Sequence, residues 1–284
     1  MALTINTNMG ALIVQNNLAA ATKAMNLSIE RMTTGYKIND AKDDPAGYAV
    51  MTKMDTSLKS NVVAQSNVEM GSSLLSTTGS NYDLVISHLQ RIRDLVEQGA
   101  NGTYAQDSLD AMKAEVTARM AELDRIAQVT EFNGINLMDG SVGTAGINLQ
   151  VGIDSSTNSQ ITLSQSLFAS VKSNDLLGSG FITDIFKSTT TAANWSTALG
   201  KTDDAIETIT TRATELGAVQ NRLDSASEAL STQYDNLTSS LSTIRDTDIA
   251  AESSNFIKAQ ILQQASATLL TTANQAPSIA LNLI

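Results

Sequence analysis

The stretch VMTKMDTSLKSNVVAQSNVEMGSSLLSTTGSNYDLVISHLQRIRDLVEQG (residues 50–99) carries a repeat that few folds can use. Stepping alternately by four and three visits Val50, Met54, Ser57, Asn61, Ala64, Val68, Gly71, Leu75, Thr78, Tyr82, Val85, Leu89, Ile92, Val96 and Gly99. Most of these are apolar or small, and none is charged. That is a heptad seam sustained over about seven repeats, which predicts a coiled-coil-like helix. At 1.5 Å per residue it would be roughly 75 Å long. The same step through 199–244 gives Leu199, Thr202, Ile206, Ile209, Ala213, Leu216, Gln220, Leu223, Ser227, Leu230, Tyr234, Leu237, Leu241 and Ile244, again without charge. These two helices are natural partners, parallel or antiparallel. A third, over 104–128, shows Leu109, Met112, Val116, Leu123 and Ile126 on one face. Thr103 and Gln106 have the spacing of a capping box for its start, after an Asn101-Gly102 turn. Three helices on a shared seam make a bundle.

Just upstream, AKDDPAGYAV (41–50) interrupts the helical pattern. Asp44 suits an N-cap, Pro45 the first helical turn, and Asp43 the positive end of the helix. The break is expected to be a domain joint formed by Asp43, Asp44 and Pro45. A metal site there lacks a third ligand.

The ends are unusual in the same way. Residues 1–22 and 259–284 contain no Asp, Glu, Lys or Arg, yet both keep helical periodicity. Leu18, Met25 and Met32 are seven apart, as are Thr22, Ile29 and Tyr36; so are Leu262, Leu269, Ala276 and Leu283, with Ala259, Ser266, Ala273 and Ala280 between them. A solvated helix carries charge on its polar face, and a membrane-surface helix carries Lys and Arg. These helices fit burial against other protein, with amides and hydroxyls bonding across close-packed helices. One chain lacks the surface to bury them, whereas many copies around an axis could. Leu18, Met25, Ile29, Met32, Leu262, Leu269 and Leu283 are therefore the expected polymer core.

Between the helices, 131–197 is rich in Gly, Ser, Thr and Asn. AGINLQVGI (145–153) and SQITLS (159–164) alternate apolar and polar residues, as strands of a hairpin would. FITDIF (181–186) fits a short helix or strand, and KSTTTAANWST (187–197) a surface loop. The expected fold is mainly α: a long coiled-coil-like bundle with a small β-hairpin-rich insertion and paired N- and C-terminal helices. The expected division is 1–43 with 246–284 as inner terminal domain, 44–165 with 198–245 as rod, and 166–197 as a short outer region. The Ser/Thr-rich 155–197 fits a solvated loop or an O-glycan-bearing region equally.

Composition narrows the chemistry. The formal net charge of −11 disfavours a nucleic-acid partner. There is no cysteine, so neither disulfides nor thiolate metal sites arise. No apolar run reaches membrane-spanning length, and the first residues lack the pattern of a secretory signal. The one histidine, His88, sits beside the seam without a carboxylate cluster. No nucleophile–base grouping, phosphate loop or His-Glu-x-x-His occurs, and the methionines fall on helical faces as packing residues. No catalytic, cofactor-binding or metal residue is expected.

Several segments carry a resemblance: INTN (5–8), ERMTTGYKINDAKDDPAGYAV (30–50), LQRIRDLVEQGANGT (89–103), EFNGINLMDG (131–140) and KAQILQQASATLLTTANQ (258–275), with the ending on Leu283 and Ile284. In both terminal thirds, in order, the chain resembles bacterial flagellin. The likeness fades over about 165–197. It implies a homopolymer, the extracellular flagellar filament used for swimming. It also implies delivery through a dedicated export apparatus with an export chaperone, a filament cap and hook-junction proteins as partners. A hook–filament junction protein, or another exported coiled-coil rod, shares such terminal helices and is the alternative; a dedicated receptor ligand or adhesin is a third class. Off the seam, Arg91, Leu95 and Gln98 share another face of the long helix. Arginine beside an apolar anchor is the usual make-up of a binding hot spot, and Glu115, between Met112 and Val116, could reach the same surface. The match at LQRIRDL and KAEVTARM implies that Gln90, Arg91, Leu95 and Glu115 form the axial contact between subunits and the patch read by the innate toll-like receptor for flagellin.

Overall fold

In a computed structural model, residues 7–185 and 192–281 are described, without the side chains of 192 and 276–281. Leu283 lies outside the described residues. The helices are α1 (Met9–Thr34), α2 (Pro45–Ala100), α3 (Gln106–Val129), α4 (Ser173–Leu177), α5 (Phe181–Ile185), α6 (Ala192–Arg245) and α7 (Ile249–Leu281). Two antiparallel hairpins pair β1 (Glu131–Phe132) with β2 (Ile135–Asn136), and β3 (Ile147–Gln150) with β4 (Gln160–Leu163). The chain forms two compact units, Met1–Leu58 with Asp235–Ile284, and Lys59–Tyr234. The division falls inside α2 and α6 rather than at the breaks in the helices.

In the second unit the predicted seam is the core. Ala64, Val68, Leu75, Tyr82, Val85, Leu89, Ile92 and Val96 of α2 are buried, together with Ile209, Leu216, Leu223 and Leu230 of α6. The pairing is antiparallel. Asn61 Nδ2 donates to the carbonyl of Leu230 (3.1 Å), and Arg93 pairs with Asp203 near the opposite end (2.6 Å). Asn61 is fully buried in the seam, as are Thr78 and Thr202, and a buried amide that must meet its partner across the helices fixes register. The seam is wider than the sequence suggests, because Leu74 and Leu95, one position before seam residues, are buried too.

The sequence segments between α3 and α6 fold onto this seam. Asn133 (φ 50°) and Gly134 (φ 77°) form the turn of the β1–β2 hairpin, the Asn-Gly pattern of a two-residue loop. The strands expected at 145–153 and 159–164 pair in register from Ile147↔Leu163 to Gln150↔Gln160. Leu149 lies over Gly71, where a Cβ would come within 2.5 Å of its Cδ1. Residues 166–185 form part of this core through Leu167, Phe168, Val171, Leu177, Phe181 and Ile185 rather than a separate body. The phenol of Tyr82 donates to the carbonyl of Leu167, and burial pushes its pKa up to about 12.

Three local expectations change. The start of α3 is not a Thr103–Gln106 capping box: Gln106 is already the first helical residue, and its amide donates forward to Asp110 (3.1 Å). Residues 192–197, expected as loop, open α6, because Trp195 and Ala198 are drawn into the core. Residues 186–191 lie outside the described residues. At the lower end of the α2 seam, Val50 is 45% exposed.

In the first unit, α1 and α7 run antiparallel. Asn8 Nδ2 donates to the Ala273 carbonyl (2.8 Å), Gln263 Nε2 donates to Thr22 Oγ1 (3.2 Å), and Arg31 faces Glu252 (4.0 Å). Gly35 ends α1 in the left-handed conformation (φ 76°). The joint at 36–44 is tied to the turn after α6: Lys37 N–H donates to the Arg245 carbonyl (2.7 Å), Thr247 N–H to the Gly35 carbonyl (2.9 Å), and the Arg245 guanidinium lies 4.2 Å from the Tyr36 ring centre. Asp44 Oδ1 accepts from Ala46 N–H at the start of α2, as expected (3.1 Å). Asp43 differs from expectation. It accepts from the backbone N–H groups of Asn39 (3.1 Å) and Asp40 (3.2 Å), so it closes the joint's loop rather than serving the helix, and those bonds hold its carboxyl below its ordinary pKa.

Gly99 faces the Trp195 ring, and a Cβ there would sit 2.4 Å from Cη2. Gly99→Val should therefore destabilise the protein by about 1–3 kcal/mol in urea unfolding. Gly102→Ala, where no atom lies within 4 Å of the added carbon, should leave it within about 0.5 kcal/mol.

Candidate functional site

The α1/α7 pair is built inside out. The positions packed between the helices are small or polar: Ala21, Ser28, Glu252, Ala259 and Ser266 are buried. Small residues let two backbones approach closely, with amides and hydroxyls bridging them. The large apolar residues point away. Met9 is 58% exposed, Ile13 57%, Ile261 59% and Leu269 56%. Leu262 and Ile29 are exposed as well, and Leu18, Met25 and Met32 are half-buried. An open groove of about 700 Å³ runs along the pair, lined by Ala20, Ala24, Leu27, Leu262, Ala265 and Leu269 among others. Arg31, the buried Glu252 and Lys258 also line it; Arg31 Nε has no hydrogen-bond partner.

A second surface lies where α3 crosses α2. Arg91 grips Glu115 with two bonds, Nε to Oε1 (2.9 Å) and Nη2 to Oε2 (3.2 Å), and Arg119 bonds the same carboxylate (3.1 Å). The Arg91 hydrogen bond, aided by Arg119, holds the Glu115 carboxyl below its ordinary pKa. Arg119 also contacts His88 Nδ1 (3.3 Å); burial, then the Arg119 charge, lowers the histidine's pKa. Gln90 is exposed beside this cluster. Of the four residues expected on one exposed patch, Arg91 and Glu115 thus touch and Gln90 flanks them. Leu95 does not belong to the exposed patch. It is 3% exposed and part of the core. It sits one turn beyond Arg91, and a helix-by-helix reading of periodicity could not see that other elements cover it.

Among the described residues no group of three His, Cys, Asp or Glu side chains could hold a metal, and no helix is long and apolar enough to cross a membrane.

A helix pair that turns its large apolar residues outward, on a long antiparallel bundle, defines a structural subunit that packs against others. The chain matches the family model for the bacterial flagellin N-terminal helical region over residues 5–143, and that for the C-terminal helical region over 199–284. It is 34% identical to the flagellin of Bacillus subtilis (strain 168), covering 99% of both chains, and 34% identical to the flagellin of Xenorhabdus nematophila, covering 100% of both. In fold it is similar to a structure titled as a putative flagellar hook-associated protein from Vibrio parahaemolyticus (TM-score 0.60, 17% identity, 72% of this chain and 100% of that one). The chain belongs to the bacterial flagellins, the structural subunits of the extracellular flagellar filament.

Leu95→Ala should lower stability by about 2–5 kcal/mol, the cost of a core leucine. Arg91→Ala, which removes a solvent-screened ion pair, should leave the unfolding midpoint nearly unchanged. Urea unfolding followed by circular dichroism measures both.

Proposed function

We propose that the outward apolar face of α1 and α7 is the polymer core, closed by neighbouring copies, and that the two helices are held only loosely until then. Leu18, Met25, Ile29, Met32, Leu262 and Leu269 supply its apolar surface, with Leu283 beyond the described residues. The observation that carries this reading is the inside-out pairing. Covering a large apolar side chain yields about 1.5–3 kcal/mol, and the free subunit leaves that unrealised at Met9, Leu12, Ile13, Ile257, Ile261, Leu262 and Leu269. A weakly packed pair also suits passage of the unfolded chain through the flagellar export channel, with an export chaperone shielding it and the filament cap and hook-junction proteins receiving it. No nucleic acid and no membrane enters this reading, which the charge of −11 supports.

The Gln90, Arg91 and Glu115 surface is proposed as the axial contact between subunits, and in the free monomer as the patch for the hosts' innate toll-like receptor. Arg91, 41% exposed at its side chain, keeps accessible donor surface beyond its bond to Glu115. Leu95 supports that surface from beneath.

Two measurements test the core. Hydrogen exchange over α1 and α7 should be fast in the monomer, because little burial offsets about 1–2 kcal/mol of backbone entropy per residue, and slow in the filament. Equal protection in both states would end the proposal. Leu269→Asp should abolish filaments in electron micrographs, since an unpaired charge in a close-packed interior costs several kcal/mol, while leaving the unfolding of the second unit unchanged. Normal filaments from this variant would place Leu269 outside the core.

A further inference from the structure

The second unit carries a row of exposed apolar residues that its own core does not use. On α2, Val63 is 60% exposed, Met70 56% and Leu84 41%. They are spaced by sevens, with Thr77 in the missing place, and Ser66, Ser73, Ser80 and Ser87 fill the alternate positions, also by sevens. This is the same three-four repeat as the buried seam, displayed to solvent. No charged residue interrupts it between Lys59 and Arg91, the next positions of the row at either end. One exposed leucine needs no explanation; a heptad row does.

The hydroxyls of Ser73, Thr77, Ser80 and Ser87 on this row are already satisfied. Ser73 donates to the Glu69 carbonyl (3.0 Å), Thr77 to Ser73 (2.9 Å), Ser80 to Ser76 (3.0 Å) and Ser87 to Leu84 (2.8 Å). Side chains bonded back to their own helix give up little on losing water, so covering them carries a small desolvation cost.

We infer that this face of α2 is a further self-assembly surface, and that it takes the outer face of α6 from a neighbouring copy. The inference rests on the filament reading above. The α6 face offers Thr211, Thr214, Ala218, Asn221 and Ser225, uncharged and mostly exposed at the same three-four spacing. Thr214 and Ser225 also bond back to their own helix, at Thr210 and Asn221 (2.9 Å each). Its small side chains form a shallow row on which the bulkier Met70 and Leu84, fourteen residues apart like Thr211 and Ser225, can rest. Within one chain α2 and α6 meet through their seams, so their outer faces cannot reach each other; the occupant is a second copy. In a chain of net charge −11, neutral rows are where two copies can approach without repulsion. A contact between two different faces propagates as an open helical polymer when its rotation does not close a ring. A strip one helix wide and roughly 21 Å long falls short of the about 1,200 Å² that a stable free dimer buries, so it acts only where many contacts add.

The chain has no cysteine, so introduced thiols are unique reporters. Met70→Cys is copolymerised with Thr211→Cys, Ala218→Cys or Ser225→Cys and treated with a short bismaleimide. Filaments should give dimers linked between position 70 and at least one α6 position, and monomers at the same concentration none. Filaments that form without any such link overturn the inference, as does linkage in Met70→Cys filaments alone, which would mean that α2 meets α2. Failure of the unsubstituted chain to polymerise overturns the filament reading and this inference together. Met70→Lys should raise the critical concentration for assembly about tenfold at unchanged monomer melting; a lowered melting temperature would show that Met70 is packed internally and overturn the surface.

Discussion

The uncharged seam between α2 and α6 is the constraint on which the rest of the second unit depends. Leu75, Tyr82, Val85, Leu89, Ile92 and Val96 are fully buried along it. Each later element is shaped by what it adds to that line. Gly71 is open so that Leu149 of the β3–β4 hairpin can approach, Gly99 so that Trp195 can. The antiparallel register is set by the same line, through the buried Asn61 amide on the Leu230 carbonyl and the Arg93–Asp203 pair nearer the other end. Two long helices with a slippery apolar seam can slide by a heptad at small cost. A buried polar contact makes every slipped register leave an amide unsatisfied.

The first unit solves a different problem with similar helices. Its inner positions are Ala21, Ser28, Ala259 and Ser266, too small to supply much burial, and its large residues face outward. Such a pair is poor as a free-standing domain and well suited as half of an interface. The tie between the two joints, Tyr36 to Lys37 against Arg245 to Thr247, holds the ends of α1 and α7 together where the helices break.

Arg91 makes an internal contact while its side chain stays 41% exposed. Its fork on Glu115 fastens α3 to α2 over the buried Leu95, and its position also terminates the neutral row Val63–Met70–Leu84. A guanidinium offers five donors in a plane, enough to hold one carboxylate and present an edge elsewhere. A change at Arg91 thus acts on surfaces more than on the fold, and a change at Leu95 the reverse.

The sequence by itself determined the helical class, both long helices, the joint at Asp44-Pro45, the β3–β4 hairpin and the neutral character of the ends. Each depends on local spacing or local capping chemistry, which one strand of text contains. Tertiary structure alone decided which way the amphipathic faces turn. The sevens at Leu262 and Leu269 are the same pattern whether they face α1 or a neighbour, and only the small residues opposite reveal that they face out. Leu95 reads as a lone apolar residue off the seam until the folded core buries it, and residues 192–197 read as loop until Trp195 finds Gly99. Asp43 suits a helix start in sequence, but its carboxylate closes the preceding loop because the backbone of 39–40 curls back to it. Periodicity fixes which residues share a face; what covers that face depends on contacts between residues far apart in the chain.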